Sequence, residues 1–304
     1  MPKHWIKRLF LSWALFILAS TLAGCSTHSH GKAVSLLAKI KARGYITVGY
    51  ADEAPFAYID PKTGKLTGES PTVLRAVMNK LGVKHIRGVL TNFGALIPAL
   101  KAGRFDVIAA GMYITPLRCR QIAFSNPTFA IGDGFVVKKG NPLHLHSYSN
   151  FLHHPHRLLG VVQGAIEYNY ARQLGIPKQQ IRLFPDAPSA LAAVENGRVN
   201  AYAATELTVR RLVRKSHGAG VEAASPFHNP VIHGVKQLGY GAFGFRRANV
   251  KLRRAVDRIL KSYVPSRQHL QAVKRFGFTA ADMPGKVTAD QLCGCKSQAR
   301  RRTK

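Results

Sequence analysis

Residues 105–126, Phe-Asp-Val-Ile-Ala-Ala-Gly-Met-Tyr-Ile-Thr-Pro-Leu-Arg-Cys-Arg-Gln-Ile-Ala-Phe-Ser-Asn, constrain the fold more than any other stretch of the chain. Phe105 to Ala110 is short and apolar apart from Asp106, and it follows Gly103, a residue suited to the position just past a helix. The run predicts a buried strand. Gly111, Tyr113 and Thr115 come at its carboxyl end, and Arg118 stands three positions after Thr115, near the start of a predicted helix. In open α/β sheets that edge is where ligands bind. The guanidinium fork of Arg118 and the free N–H groups of a helix start are placed to converge on one carboxylate.

The elements around this stretch repeat the same logic. Tyr45–Tyr50 predicts a first strand, and residues 51–56 the loop leaving its carboxyl end. Ser70 and Pro71 suit the N-cap and first turn of a helix whose Leu74, Val77, Met78 and Leu81 form one apolar stripe, with Gly82 closing it. A strand near His85–Leu90 leads to Phe93 and a helix over 94–102, which completes a right-handed βαβ lobe. Residues 126–134 contain Pro127, Gly132 and Gly134, a break where the chain can leave that lobe. Phe135–Lys138, Leu158–Val162, Ile181–Phe184 and Val199–Ala203 predict the strands of a second lobe, with helices ending at Gly175 and Gly197. Gly239-Tyr240-Gly241 is the return crossing. From Asn249 two helices, with Leu252, Val256, Ile259 and Leu260 on one side, are expected to pack back on the first lobe. Two crossings suit a hinge, and 304 residues are enough for two cores.

Lys and Arg number 45 against 14 Asp and Glu, a net charge of +31. Such a balance is typical of nucleic-acid or membrane-surface binders. Here the basic residues are scattered along amphipathic helices, with no stripe and no RRM, KH or zinc-finger spacing, so no nucleic-acid partner is expected. Work in an acidic milieu is one physical reason for such a surface, because carboxylates there lose their charge and their ion pairs. Residues 1–24 carry Lys3, Lys7 and Arg8 before an apolar run from Leu9 to Leu18, the pattern of a secretory signal. Leu22-Ala23-Gly24-Cys25 resembles a lipobox, which implies lipidation at Cys25 and a membrane-anchored lipoprotein at the periplasmic face or cell surface. Residues 25–35 then serve as a tether, and 294–304 as a basic tail.

The pattern G-x-x-I-T-x-x-R-x-x-x-I-x-F-S, carried by Gly111, Ile114, Thr115, Arg118, Ile122, Phe124 and Ser125, resembles the bacterial extracytoplasmic amino-acid-binding proteins that feed ABC importers. Within that family the text from Phe93 to Leu100 and from Ala110 to Cys119 is most similar to the ectoine/hydroxyectoine-binding branch, and the likeness spans roughly residues 36–293. The resemblance implies an α/β fold of the two-lobed periplasmic-binding-protein kind, type II, with two βα lobes joined by a two-stranded hinge. Lobe 1 is expected over 36–128 and 242–293, lobe 2 over 133–236, and the hinge at 129–132 and 237–241. It also implies a monomeric receptor with no cofactor and no catalysis, whose partners are a small zwitterionic ligand and an inner-membrane permease.

Phe56, Phe93 and Tyr113 each follow a strand of the first lobe, so their rings are expected above one sheet edge as a cation cage, each face contributing about 0.5–2 kcal/mol. Glu53 adds a carboxylate to the same cation, while its neighbour Asp52 is suited to capping the turn. Arg118 is expected to clamp the ligand carboxylate, with Thr115 as a further donor. The turn at residues 163–167, with Gly164, is expected to bring N–H groups from the second lobe. Amino-acid binders of the family commonly have an aspartate just after the strand ending at Ala204, for the ligand's ammonium. Here that position is Thr205, which suits a delocalised cation that prefers ring faces to a compact ammonium.

In an oxidising compartment Cys119 can pair with either C-terminal cysteine; Cys293 is preferred over Cys295 because the resemblance reaches it. His144, His146, His153, His154 and His156 crowd a stretch with Pro142 and Pro155 and no acid, which reads as a solvated loop, metal capture being the rival reading. Three other functions stay open: a receptor for another zwitterion or a cationic amino acid, a dehydratase-like enzyme on the same fold with Glu53 as acid or base, and metal binding.

Overall fold

Three parallel strands of the first lobe leave their carboxyl ends on one edge, and that edge organises the lobe. In the computed structural model, which describes residues 34–216 and 220–294, Tyr45–Tyr50 lies between His85–Leu90 and Val107–Ile108, parallel to both. Gly244–Phe245 and then Ala123–Phe124 complete a five-stranded sheet, Gly244–Phe245 running antiparallel to each of its neighbours. The second sheet has the order Ile181–Phe184, Leu159–Val162, Ala201–Thr205, Asp133–Lys138, Val221–Ala223. Its first three strands are parallel, and Asp133–Lys138 runs antiparallel between the last two partners. Between the sheets, Phe129–Ile131 pairs antiparallel with Gly239–Gly241. The expectations for residues 1–24, Cys25, Cys295 and the basic tail lie outside the described residues.

The crossing pair is packed to contact. A Cβ on Gly239 would lie 1.7 Å from the Tyr113 ring, and one on Gly241 would lie 2.0 Å from the Phe129 ring. Backbone bonds from Ile114 N–H to the Tyr240 carbonyl and from Ala242 N–H to the Met112 carbonyl stitch the strand-end loop to the crossing. The helices Val250–Tyr263 and Arg267–Lys274 return against Glu69–Lys80, burying Leu252, Val256 and Leu260. A disulfide joins Cys119 to Cys293 with the Cα atoms 5.7 Å apart, tying the short helix Pro116–Cys119 to Ala289–Leu292.

Three local expectations need correction. The second helix begins at Glu69, ahead of Ser70 and Pro71, with Gly68 as its N-cap. Its first N–H groups find non-helical acceptors, Glu69 on the Pro55 carbonyl and Ser70 on the Phe56 carbonyl, so no side-chain cap is needed. The strand expected over 105–110 is regular only at Val107–Ile108, because Asp106 turns to take the Thr47 N–H at 2.8 Å, the Thr47 hydroxyl at 2.7 Å and the Arg43 guanidinium. The strand expected over 199–203 is Ala201–Thr205, so Thr205 ends the ladder opposite Asp133.

Glu69 is fully buried, accepting from the Ser70 hydroxyl at 2.6 Å and the Thr128 hydroxyl at 2.7 Å. Ser70 Oγ in turn accepts the Gly111 N–H at 3.0 Å, so one network spans the helix start, the loop behind Tyr113 and the approach to the crossing. Burial pushes the Glu69 carboxyl up to about 7, against the two hydroxyl bonds. The native state therefore holds a proton that the unfolded chain releases near the ordinary carboxylate range. The stabilisation is complete below that range and is lost as pH rises through about 7. Asp133, also raised to about 7 by burial, acts in the same direction. Denaturant titrations should show Glu69→Gln losing less stability than the wild type between about pH 5 and pH 8, by about 3 kcal/mol. Parallel curves for the two proteins would disprove this.

Candidate ligand site

Loops from the carboxyl edge of the first sheet and strand ends of the second enclose one cavity. From the first lobe its wall includes Glu53, Phe56, Phe93, Gly111, Tyr113 and Arg118, and from the second Val162, Ile166, Glu167, Tyr202 and Thr205. The three expected rings are brought together there. Phe56 is anchored by Phe129 and Phe278, with centroids at 5.2 and 5.9 Å. Tyr113 meets Phe129 edge-on at 6.2 Å, and its buried hydroxyl has no hydrogen-bond partner among the described residues. Phe93 stands in the single turn Phe93–Ala95 and faces the Arg118 guanidinium at 5.6 Å.

Arg118 is held by two carbonyls, Nη1 donating to Tyr113 O at 2.7 Å and Nη2 to Gly164 O at 2.9 Å. The second bond crosses from one lobe to the other. Burial lowers its pKa to about 10, with Glu167, Tyr170 and Tyr113 opposing, so the group stays charged at neutral pH. Glu53, partly buried, accepts from the Thr208 hydroxyl of the second lobe at 2.8 Å. Burial raises its pKa and that bond works against the rise. Asp52 accepts the Ile59 N–H at 2.9 Å and stays on the turn.

Thr115 and Gly164 are not on the wall. Thr115 caps the helix Pro116–Cys119, its hydroxyl accepting the Arg118 N–H at 3.2 Å, because the chain must turn there to present the guanidinium. Gly164 offers its carbonyl to Arg118. Thr205 does line the cavity, and it also caps the helix Glu206–Lys215 through Thr208.

Two polar wall residues were not singled out from sequence, Tyr202 and the carboxyl of Glu167. Tyr202 alternates with Ala201 and Ala203 in a buried strand, a pattern that reads as core. Glu167 lies in the first turn of the helix Ile166–Gln173, where an acid favourable to the helix dipole needs no further explanation. Burial is the main cause that lifts its carboxyl well above the ordinary range, followed by the charge of Asp133. The histidine loop shows no convergence: among the described residues no group of three or more His, Cys, Asp or Glu is placed to hold a metal ion. His146 uses Nδ1 on the Pro226 carbonyl at 2.8 Å.

A sequence model of the bacterial extracellular solute-binding proteins, family 3, matches residues 46–278. A probable amino-acid ABC transporter periplasmic-binding protein of Sinorhizobium fredii is 37% identical over 298 residues, covering 96% of this chain and 94% of the relative. A probable histidine-binding protein of Neisseria gonorrhoeae is 27% identical over 221 residues, covering 72% of this chain and 78% of the relative. Among solved structures, EhuB in complex with hydroxyectoine superposes with a TM-score of 0.76 at 31% identity, covering 85% of this chain and 97% of that one. An ancestral amino acid-binding protein, a precursor of cyclohexadienyl dehydratase, gives 0.69 at 26% identity, covering 80% and 99%.

Proposed function

The chain belongs to the bacterial extracellular solute-binding proteins, family 3, and from that premise we propose that it is the receptor of an ABC importer that closes its two lobes on ectoine or hydroxyectoine. The observation that carries this reading is the meeting of Phe56, Phe93 and Tyr113 with Arg118 and Glu53 on one wall. A cyclic amidinium with an attached carboxylate has a delocalised cation for the ring faces and an anion for the guanidinium fork. Thr205 leaves no acid at the position where a compact α-ammonium is usually met. The unpartnered Tyr113 hydroxyl supplies a donor for the ligand. The likeness to EhuB, solved with hydroxyectoine, supports the same choice.

In this reading the lobes are those assigned above, with residues 129–132 and 237–241 as the hinge. Ligand stabilises the closed form by touching both lobes. Cys25 carries the lipid that holds the receptor at the membrane, and delivery is to a permease. Among the described residues no helix is long and apolar enough to cross a membrane. Calorimetry with ectoine, hydroxyectoine, glycine betaine and arginine tests the assignment. Phe93→Ala and Tyr113→Ala should each weaken ectoine binding by roughly 5–30-fold, about 1–2 kcal/mol per ring face. Unchanged affinity in both variants would remove the aromatic cage from the account.

A second reading, a cationic amino acid as ligand, is favoured by the presence of two carboxyls, Glu53 and Glu167, on the same wall as one guanidinium. Tighter binding of arginine than of ectoine would select it. Stoichiometric retention of ligand without product separates either receptor from a dehydratase using Glu53.

A further inference from the structure

All fourteen acidic residues lie among the described residues, and only Glu69, Asp106, Asp133 and Glu167 are buried. Three of these have partners that account for them. Glu69 sits in its hydroxyl network, Asp106 meets Arg43 and Thr47, and Asp133 takes the Tyr148 hydroxyl at 2.7 Å. Glu167 differs: 4% exposed and on the cavity wall, it is in none of the ion pairs found among the described residues, and the hydrogen bond it accepts comes from its own backbone N–H.

We propose that Glu167 is a specificity-determining residue of the second lobe, contacting the cationic part of the ligand and giving up a proton to solvent as the ligand binds. This rests on the receptor reading above, and it adds a carboxylate that the sequence pattern did not assign.

The groups facing Glu167 come from every side of the cavity. Asp133 on the strand Asp133–Lys138 and Glu53 on the loop after the first strand repel its charge, and Arg118 attracts it. Tyr113, Tyr148 and Tyr202 approach from their own segments, and Tyr170 from the same helix. Lobe closure sets Glu53 of one lobe near Glu167 and Asp133 of the other. Arg118 offsets one charge at most, and two of its N–H groups are already on carbonyls. Asp133 belongs to the same lobe as Glu167, so its repulsion persists when the lobes part, and the neutral acid is favoured in the free protein. A ligand cation in the same space reverses that balance, so the Glu167 O–H bond breaks, its proton passes to the buffer and the carboxylate faces the cation. Asp133 and Glu167 interact, so the released proton is a property of the pair.

The sign follows from linkage. The free protein's acid is raised and the bound one is lowered, so affinity strengthens as pH rises above the ordinary carboxylate range, by up to about tenfold per pH unit. Calorimetry of ectoine and of arginine, each in two buffers of different ionisation enthalpy between about pH 5.5 and pH 8.5, counts the protons. The wild type should release up to about one proton, and Glu167→Gln should release markedly less, bind more weakly by at least about tenfold at the upper pH and show a flattened pH profile.

A melting curve of ligand-free Glu167→Gln checks that it folds. The wild-type proton count stands without the variant, and a count near zero across the range overturns the proposal. Unchanged affinity and proton release in Glu167→Gln also overturn it while leaving the receptor reading intact. Failure of the wild type to bind either probe sinks both.

Discussion

Arg118→Ala should weaken ectoine binding by roughly 30-fold to several-thousand-fold, the 2–5 kcal/mol typical of truncating one partner of a buried, hydrogen-bonded charge pair. The side chain is 8% exposed and fixed by carbonyls on both sides of the cavity, Tyr113 at 2.7 Å and Gly164 at 2.9 Å. Removing it takes away the cation expected to meet the ligand carboxylate and a bond between the lobes. Arg118→Lys should recover only part of the loss, because a single ammonium cannot hold two carbonyls and a carboxylate in one plane. Calorimetry of both variants decides it. Affinity within about threefold of wild type in Arg118→Ala would mean that the guanidinium is structural and that the carboxylate is held elsewhere.

Gly164→Ala should cost nearly as much by a different route. Gly164 has a φ of +82°, and a Cβ there would lie 2.6 Å from the Gly94 Cα. One glycine belongs to each lobe, so the clash is backbone against side chain across the cleft and no rotamer relieves it. Overpacking of this kind costs about 1–3 kcal/mol, and the left-handed conformation adds about 1–2. The steric part of this penalty falls on the closed form, so ectoine affinity should drop by roughly 5–150-fold, while the left-handed strain is present in both forms and lowers the ligand-free melting temperature. Small-angle scattering should show the variant failing to contract at ligand concentrations that contract the wild type. If the variant contracts and binds normally, the lobes do not need the approach seen here.

How much of the site could be read in advance depends on which lobe supplied the residue. Phe56, Phe93 and Tyr113 were legible because each follows a parallel strand, and parallel strands deliver their loops to one edge whatever else the chain does. Arg118 was legible as the first strong cation after such a strand, at a helix start. Thr115 and Gly164 stand off the cavity wall, where the turn that aims Arg118 takes the hydroxyl of one and the carbonyl of the other. Thr205 moved from beyond a strand to its last ladder position, because antiparallel pairing with Asp133 extended the strand.

Local pattern alone determined the two βα lobes, the crossing at residues 239–241 and the ring-bearing edge, since strand alternation, helix stripes and turn residues act over a few neighbours. Only the tertiary structure decided that Glu167, Glu53 and Asp133 share one poorly solvated region with a single guanidinium. An acid in the first turn of a helix looks the same in sequence whether it faces water or a cleft. Its charge state is set by burial and by charges far away in the chain, and neither exists until the chain has folded.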